Sequence, residues 1–361
     1  MENLSLKATA IGSLPHNNPQ EALALIFENF KEIPFWPQLA GVHRYEDMVI
    51  QCNQGIPGIT YCEKNEKHYC DMQSEEFYTA LEEFFMDYES IVGEKDLTNL
   101  EKYAITEPFS CAIKPFCEKL HGFKFAKGHV VGPFTWGTSL CDEEGKCSFY
   151  DDTYREVLIK AIALKALWQI EKFKKANQNI TPIIFLDEPV LSQYGTSAFV
   201  TIQKKDIIEA LSEIAKVIKD FGGLCAVHCC GKADWSLLIE AGIDIINVDG
   251  YSYAKSLAIY ADKVKEFLSK GGYIAWGMIP TLDKEALAKI TKADIDSLEE
   301  KFEQAVSYLS EKGIDKDLII KQSFITPACG AGSLSVELAK KAMSLTLALS
   351  ERLKIKYTKG A

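Results

Sequence analysis

Short runs of apolar, β-branched and aromatic residues alternate with long helical patterns along this 361-residue chain, and that alternation constrains the fold more than any other feature. Eight runs read as strands: residues 7–13, 33–39, 126–133, 181–189, 224–230, 243–250, 273–280 and 322–329. Between them, apolar residues recur at i, i+3 and i+4 spacing over 19–30, 154–176, 204–221, 254–270, 294–312 and 335–354. The 204–221 pattern stops at Gly222-Gly223, a helix C-terminal signal. A parallel neighbour is reached only through a crossover, so strands alternating with helices imply a parallel sheet. Eight such units predict an α/β fold of the closed (β/α)8 TIM-barrel type. A single domain over 1–353 is expected, with an insertion at 40–125 between the second and third strands and a frayed tail at 354–361. The insertion carries a helical pattern at 74–89 and no linker-like composition.

Strand parity then singles out a set of side chains. Residues i and i+2 of a strand share a face, and barrel enzymes keep their sites at the C-terminal strand ends. In "LCAVHCC", His228 and Cys230 therefore point together, while Cys229 faces the helices. Cys329 ends the eighth run and Asp249 the sixth. A lone Cys or His at a strand end is more often packing than ligation. An imidazole, two thiolates and a carboxylate converging at one end instead form a donor set suited to zinc. Asp187 and Glu188 end the fourth run, where an acidic pair either caps the following turn or holds an ammonium group. Cys62 with Cys70, Cys111 with Cys117 and Cys141 with Cys147 lack C-x2-C spacing, and no second metal site or redox pair is expected among them.

Composition excludes several classes. A formal net charge of −11 and the lack of a basic stripe argue against nucleic-acid binding. No apolar run approaches the ~20 residues a membrane helix needs. The N-terminus lacks a signal-peptide pattern, so a cytoplasmic protein with mostly reduced thiols is expected. Only three arginines are present, Arg44, Arg155 and Arg352, which is few for a ligand carrying many carboxylates or phosphates.

Together the motifs "IGSLP" (11–15), "DMV" (47–49), "GPFT" (132–135), "DEP" (187–189), "HCC" (228–230), "DIINVD" (244–249) and "PACG" (327–330) resemble the C-terminal catalytic barrel of cobalamin-independent methionine synthase. That superfamily includes uroporphyrinogen decarboxylase and the corrinoid-dependent thiol methyltransferases. The resemblance implies zinc held by His228, Cys230 and Cys329, with Asp249 standing where the synthase has its fourth ligand, a glutamate. It implies Ile11 and Ser13 as substrate contacts, with the Ser13 hydroxyl near an α-carboxylate, and Asp187 as the carboxylate that holds the α-amino group.

The implied reaction moves a methyl group to the thiol of homocysteine. No catalytic side chain is expected beyond the zinc-activated substrate thiol. No counterpart of the synthase's N-terminal, folate-assisting barrel is expected within these 361 residues, and Ile279 in "GMIPT" (277–281) stands opposite the histidine that protonates folate nitrogen. A folate amine leaves poorly without a proton, whereas a methylcorrinoid needs none. The expected donor is therefore a methylcorrinoid carried by a corrinoid protein, ahead of methyltetrahydrofolate. Val42 falls near a substrate-binding glutamate of the synthase, which keeps a corrinoid-dependent transfer to another small thiol such as coenzyme M as the alternative. Remoter readings are a uroporphyrinogen decarboxylase-like enzyme, disfavoured by the scarcity of arginine, and a non-enzymatic zinc-binding barrel.

Overall fold

The structure is a computed structural model that describes residues 3–62 and 67–358. The insertion contributes an antiparallel hairpin, β1 (Ile59–Cys62) and β2 (Lys67–Cys70), which periodicity did not reveal. Six strands follow: β3 (Phe125–Val131), β4 (Thr181–Asp187), β5 (Leu224–Cys229), β6 (Ile245–Val248), β7 (Tyr273–Ile279) and β8 (Ser323–Pro327). They pair in parallel and in sequence order, β3-β4-β5-β6-β7-β8. The six later expected runs thus form strands.

The closed eight-stranded barrel expected from the sequence is corrected by this sheet, a six-stranded parallel half-barrel. Neither of the first two expected runs is a strand. Residues 7–13 meet β8 through one parallel bridge, Ala8 with Ile325, and residues 33–39 meet β3 through another, Phe35 with Lys127. Ser13 and Gln38 form a single bridge between the two segments. The causes are local. Pro34 and Pro37 have no amide hydrogen to donate, and Gly12 takes a φ of +153°, outside the extended range of L residues. Both segments still run along the sheet margins, with Thr9 N–H donating to Ile325 O (3.1 Å) and Trp36 N–H to Lys127 O (3.0 Å).

The two faces of the sheet bury different clusters. Helix Asp152–Ala176 packs on β3 and β4, Lys204–Asp220 on β5, Ile295–Ser310 on β7 and Val336–Thr358 on β8. On the other face, alternate strand positions (Ile183, Phe185, Ala226, Ile245, Ala275 and Phe324) close into an apolar plug with Ile11 and Ile33. The helix Lys204–Asp220 ends where expected: Gly222 adopts φ +74° and Gly223 N–H closes on Ile218 O (2.8 Å). The last helix runs through Thr358, past residue 354 where the frayed tail was expected to begin; residues 359–361 lie outside the described residues.

The insertion packs against the outer helix Asp152–Ala176. Tyr154 Oη donates to Pro57 O (2.9 Å), Trp168 Nε1 donates to Glu101 (3.2 Å), and the buried Lys165 ammonium reaches the carbonyls of Gln54 and Ala104. These side chains explain why that helix is buried on nearly all sides instead of showing one polar face. Among the described residues, no helix is long and apolar enough to cross a membrane.

Candidate metal centre

Three of the four expected metal ligands meet. One imidazole nitrogen of His228 and the sulfurs of Cys230 and Cys329 lie within 4.8 Å of one another. Tetrahedral zinc, with bonds of about 2.0–2.3 Å, sets its ligand atoms roughly 3.5 Å apart, so small side-chain movements suffice to close the group on an ion. His228 lies near the C-terminal end of β5, Cys230 just beyond it, and Cys329 two residues past β8. The loop carrying Cys329 is held by Thr281, whose Oγ1 accepts from Cys329 N–H and donates to Cys329 O, both at 2.9 Å.

The imidazole is oriented for ligation. His228 Nδ1 donates to Asn247 Oδ1 at 2.5 Å, while Nε2 is buried without a hydrogen-bond partner among the described residues. Asn247 cannot turn its amide around, because its Nδ2 donates to Ala275 O (2.8 Å) and Thr326 Oγ1 (2.9 Å). That locks the proton on Nδ1 and aims the Nε2 lone pair at the two sulfurs, the arrangement metal-ligating histidines use. Among the sulfurs, a hydrogen bond from Cys329 pulls the Cys230 thiol well down against the effect of burial, and the same contact drives Cys329 up. Replacing Asn247 with Leu is expected to weaken zinc binding about 10- to 100-fold, read by competition with a chromophoric chelator. Unchanged affinity would show that the imidazole needs no such anchor.

Asp249 does not join the group. Its carboxylate caps the short helix Gly250–Tyr253, accepting from Ser252 N–H at 2.9 Å, and burial raises its pKa. The expected fourth carboxylate ligand thus lies outside the group, with one of its oxygens engaged in the turn that follows β6. Cys229 is fully buried on the helix side, its thiol directed at Gly231 O (3.9 Å), as parity required.

The expected substrate contacts divide. Asp187 is register-paired with His228, is 6 % exposed, and has a buried Oδ1 without a hydrogen-bond partner among the described residues. Burial raises its pKa and lowers that of Lys127, whose charge partly opposes the shift. The Lys127 ammonium bonds to Ile11 O and sits 4.4 Å from the Phe185 ring centroid. Ser13 borders the Cys329 loop, its carbonyl accepting from Ala331 N–H (2.9 Å) and its Oγ from Gly332 N–H (3.3 Å). A Cβ on Gly330 would lie 2.1 Å from Ser13 Oγ, so a larger residue there would displace the Ser13 hydroxyl. Ile11 instead packs into the apolar plug formed by earlier strand positions.

His129, which shares a strand face with Lys127, is a residue that sequence reasoning missed. It is 1 % exposed, neither ring nitrogen has a hydrogen-bond partner among the described residues, and it stacks on Trp36 at 4.7 Å. Two polar residues at i, i+2 in an otherwise apolar run were the available signal. Burial, and secondarily Lys127, hold its pKa well below the ordinary histidine value. The folded chain therefore binds fewer protons here than the unfolded chain. Its contribution to stability is complete above the unfolded pKa of about 6.5 and falls by about 1.4 kcal/mol per pH unit below it. Urea unfolding at pH 7 and pH 5 is expected to show a shallower acid loss in His129→Gln than in wild type. Equal losses would mean that His129 accepts a proton in place.

No protein-family model matches the chain, and no curated protein matches it.

Proposed function

We propose that the chain is a zinc-dependent methyltransferase acting on a small thiol, homocysteine, with a methylcorrinoid on a partner protein as the donor. The observation that carries this reading is the unpartnered His228 Nε2 facing two thiols, beside an unpartnered carboxylate oxygen of Asp187. His228, Cys230 and Cys329 would hold the metal. Three protein ligands are the number catalytic zinc sites use, whereas structural sites are closed by four, which favours an enzyme over a structural zinc protein. Bound zinc supplies the Lewis acidity that keeps a thiol ionised near neutral pH.

The remaining residues recognise and orient. Asp187 offers a desolvated carboxylate to an ammonium group, which homocysteine carries and coenzyme M lacks. Ser13 and the glycine loop after Cys329 border the same edge and suit an α-carboxylate. Ile279 is fully buried and offers no proton, in keeping with a donor whose leaving group needs none. The arginines are engaged elsewhere, Arg44 with Tyr61, Arg155 with Asp152, and Arg352 with Asp296 and Glu299, which speaks against a substrate rich in carboxylates.

The test is turnover of the purified, zinc-analysed protein with homocysteine or coenzyme M as acceptor and methylcobalamin or methyltetrahydrofolate as donor. Methionine formed from methylcobalamin supports the reading in full. Faster turnover with the folate overturns the donor, preference for coenzyme M overturns the acceptor, and a protein that retains no zinc overturns the mechanism.

A further inference from the structure

A second pair of thiols stands in bonding geometry, apart from the metal group. Cys141 and Cys147 face each other across an isolated antiparallel bridge in the turn after helix Pro133–Ser139. Ser148 N–H donates to Leu140 O (2.9 Å) and Asp142 N–H to Lys146 O (3.0 Å), so the hydrogen bonds flank the cysteine pair on both sides. This is the non-hydrogen-bonded site of an antiparallel ladder, where opposed Cα atoms lie about 4.5 Å apart, inside the range a disulfide spans. The sulfurs are 3.3 Å apart, with Cys141 donating to Cys147, and Cys147 in turn donating to Thr138 O at 3.3 Å. Both residues are half-buried, whereas Cys52, Cys225 and Cys229 are fully buried.

We propose that Cys141 and Cys147 form a reversible thiol–disulfide modification site, oxidised by low-molecular-weight disulfides of the glutathione type. The 3.3 Å contact lets either sulfur make the first attack while the other resolves the mixed disulfide, and the chemistry is the same in both orders. With Cys147 first, its thiol releases its proton to solvent and attacks one sulfur of glutathione disulfide. The glutathione S–S bond breaks and the departing glutathione thiolate takes up a proton. Cys141 then releases its proton and attacks the Cys147 sulfur, expelling the second glutathione as a thiol. Two cysteine thiols are oxidised to one disulfide while one glutathione disulfide is reduced to two thiols.

The site is placed to report on its surroundings. Oxidation removes the S–H that bonds to Thr138 O, the last turn of helix Pro133–Ser139. The Cys141 carbonyl also accepts from Cys70 N–H (3.0 Å), so the turn is joined to hairpin β1–β2 of the insertion. Sequence spacing alone gave no reason to pair these cysteines; the bridge between their backbones does.

The full-length, zinc-loaded protein is equilibrated with glutathione redox mixtures, quenched with acid, alkylated and mapped by mass spectrometry. The expected result is loss of alkylation at Cys141 and Cys147 together, a peptide linking them, and recovery on reduction. In Cys141→Ser, Cys147 is expected as a mixed disulfide with glutathione instead. Full alkylation of both residues in oxidising mixtures, or linkage of either to another cysteine, overturns the proposal. Because the wild-type peptide map decides the matter, the proposal does not depend on the variant folding.

Discussion

Cys230→Ser is expected to bind zinc roughly a hundredfold more weakly than wild type, while the adjacent Cys229→Ser binds it normally. Zinc sites built from four protein ligands release on the order of 10–16 kcal/mol, or about 3 kcal/mol per ligand, and 1.4 kcal/mol is a factor of ten. Wild type should carry an equimolar amount of zinc by elemental analysis. The comparison isolates direction from chemistry, because both residues are cysteines one position apart on the same strand end. Cys230 lies in the ligand group; Cys229 is fully buried against the helices. Asp249→Asn should also retain zinc to within a few-fold, since Asp249 lies outside the ligand group and caps Ser252. Loss of zinc from the Cys229 variant with retention in the Cys230 variant would reverse the parity assignment on which the whole centre rests.

What the sequence revealed of this centre, and what it concealed, follows from the range of the forces involved. Alternation of side chains is a local property of the backbone, so the order of residues alone assigns His228 and Cys230 to one face. The six parallel strands were legible for the same reason. Register is non-local: nothing in "DIINVD" says that Asn247 lies opposite His228, and the sequence reading passed over it. Asp249 shows local competition instead. A carboxylate at a strand end also precedes a turn with unpaired amide groups, and here the Ser252 amide took it. At 7–13 and 33–39 the apolar pattern was correct for burial but insufficient for ladder formation, because proline and a left-handed glycine remove the regular hydrogen bonds while leaving Ile11 and Ile33 buried.

The acidic pair at 187–188 is expected to separate cleanly into a binding residue and a structural one. Glu188 is fully buried, and its carboxylate accepts from Phe134 N–H (2.8 Å), Thr135 N–H (2.8 Å) and Thr135 Oγ1 (2.7 Å) at the start of helix Pro133–Ser139. Glu188→Ala strands those three donors in a buried place and leaves a cavity. At about 1–3 kcal/mol for each unsatisfied group, with some relaxation, a loss of about 3–5 kcal/mol is expected in urea unfolding. Gly132 must remain glycine for the same reason, since a Cβ there would lie 2.3 Å from the Glu188 side chain. Asp187→Asn removes a buried carboxylate with an unpartnered oxygen, a gain that offsets the lost attraction to Lys127, so its stability should stay within about 1 kcal/mol of wild type. Its affinity for an amino-acid thiol should instead fall about 10- to 100-fold, the consequence of losing a desolvated charge pair. Sequence order placed both acids at one strand end, and strand parity sends them to opposite faces; one closes a helix and the other is free for a ligand. Equal stability loss in the two variants, with thiol affinity untouched, would make both acids structural and remove the ammonium site from the proposed function.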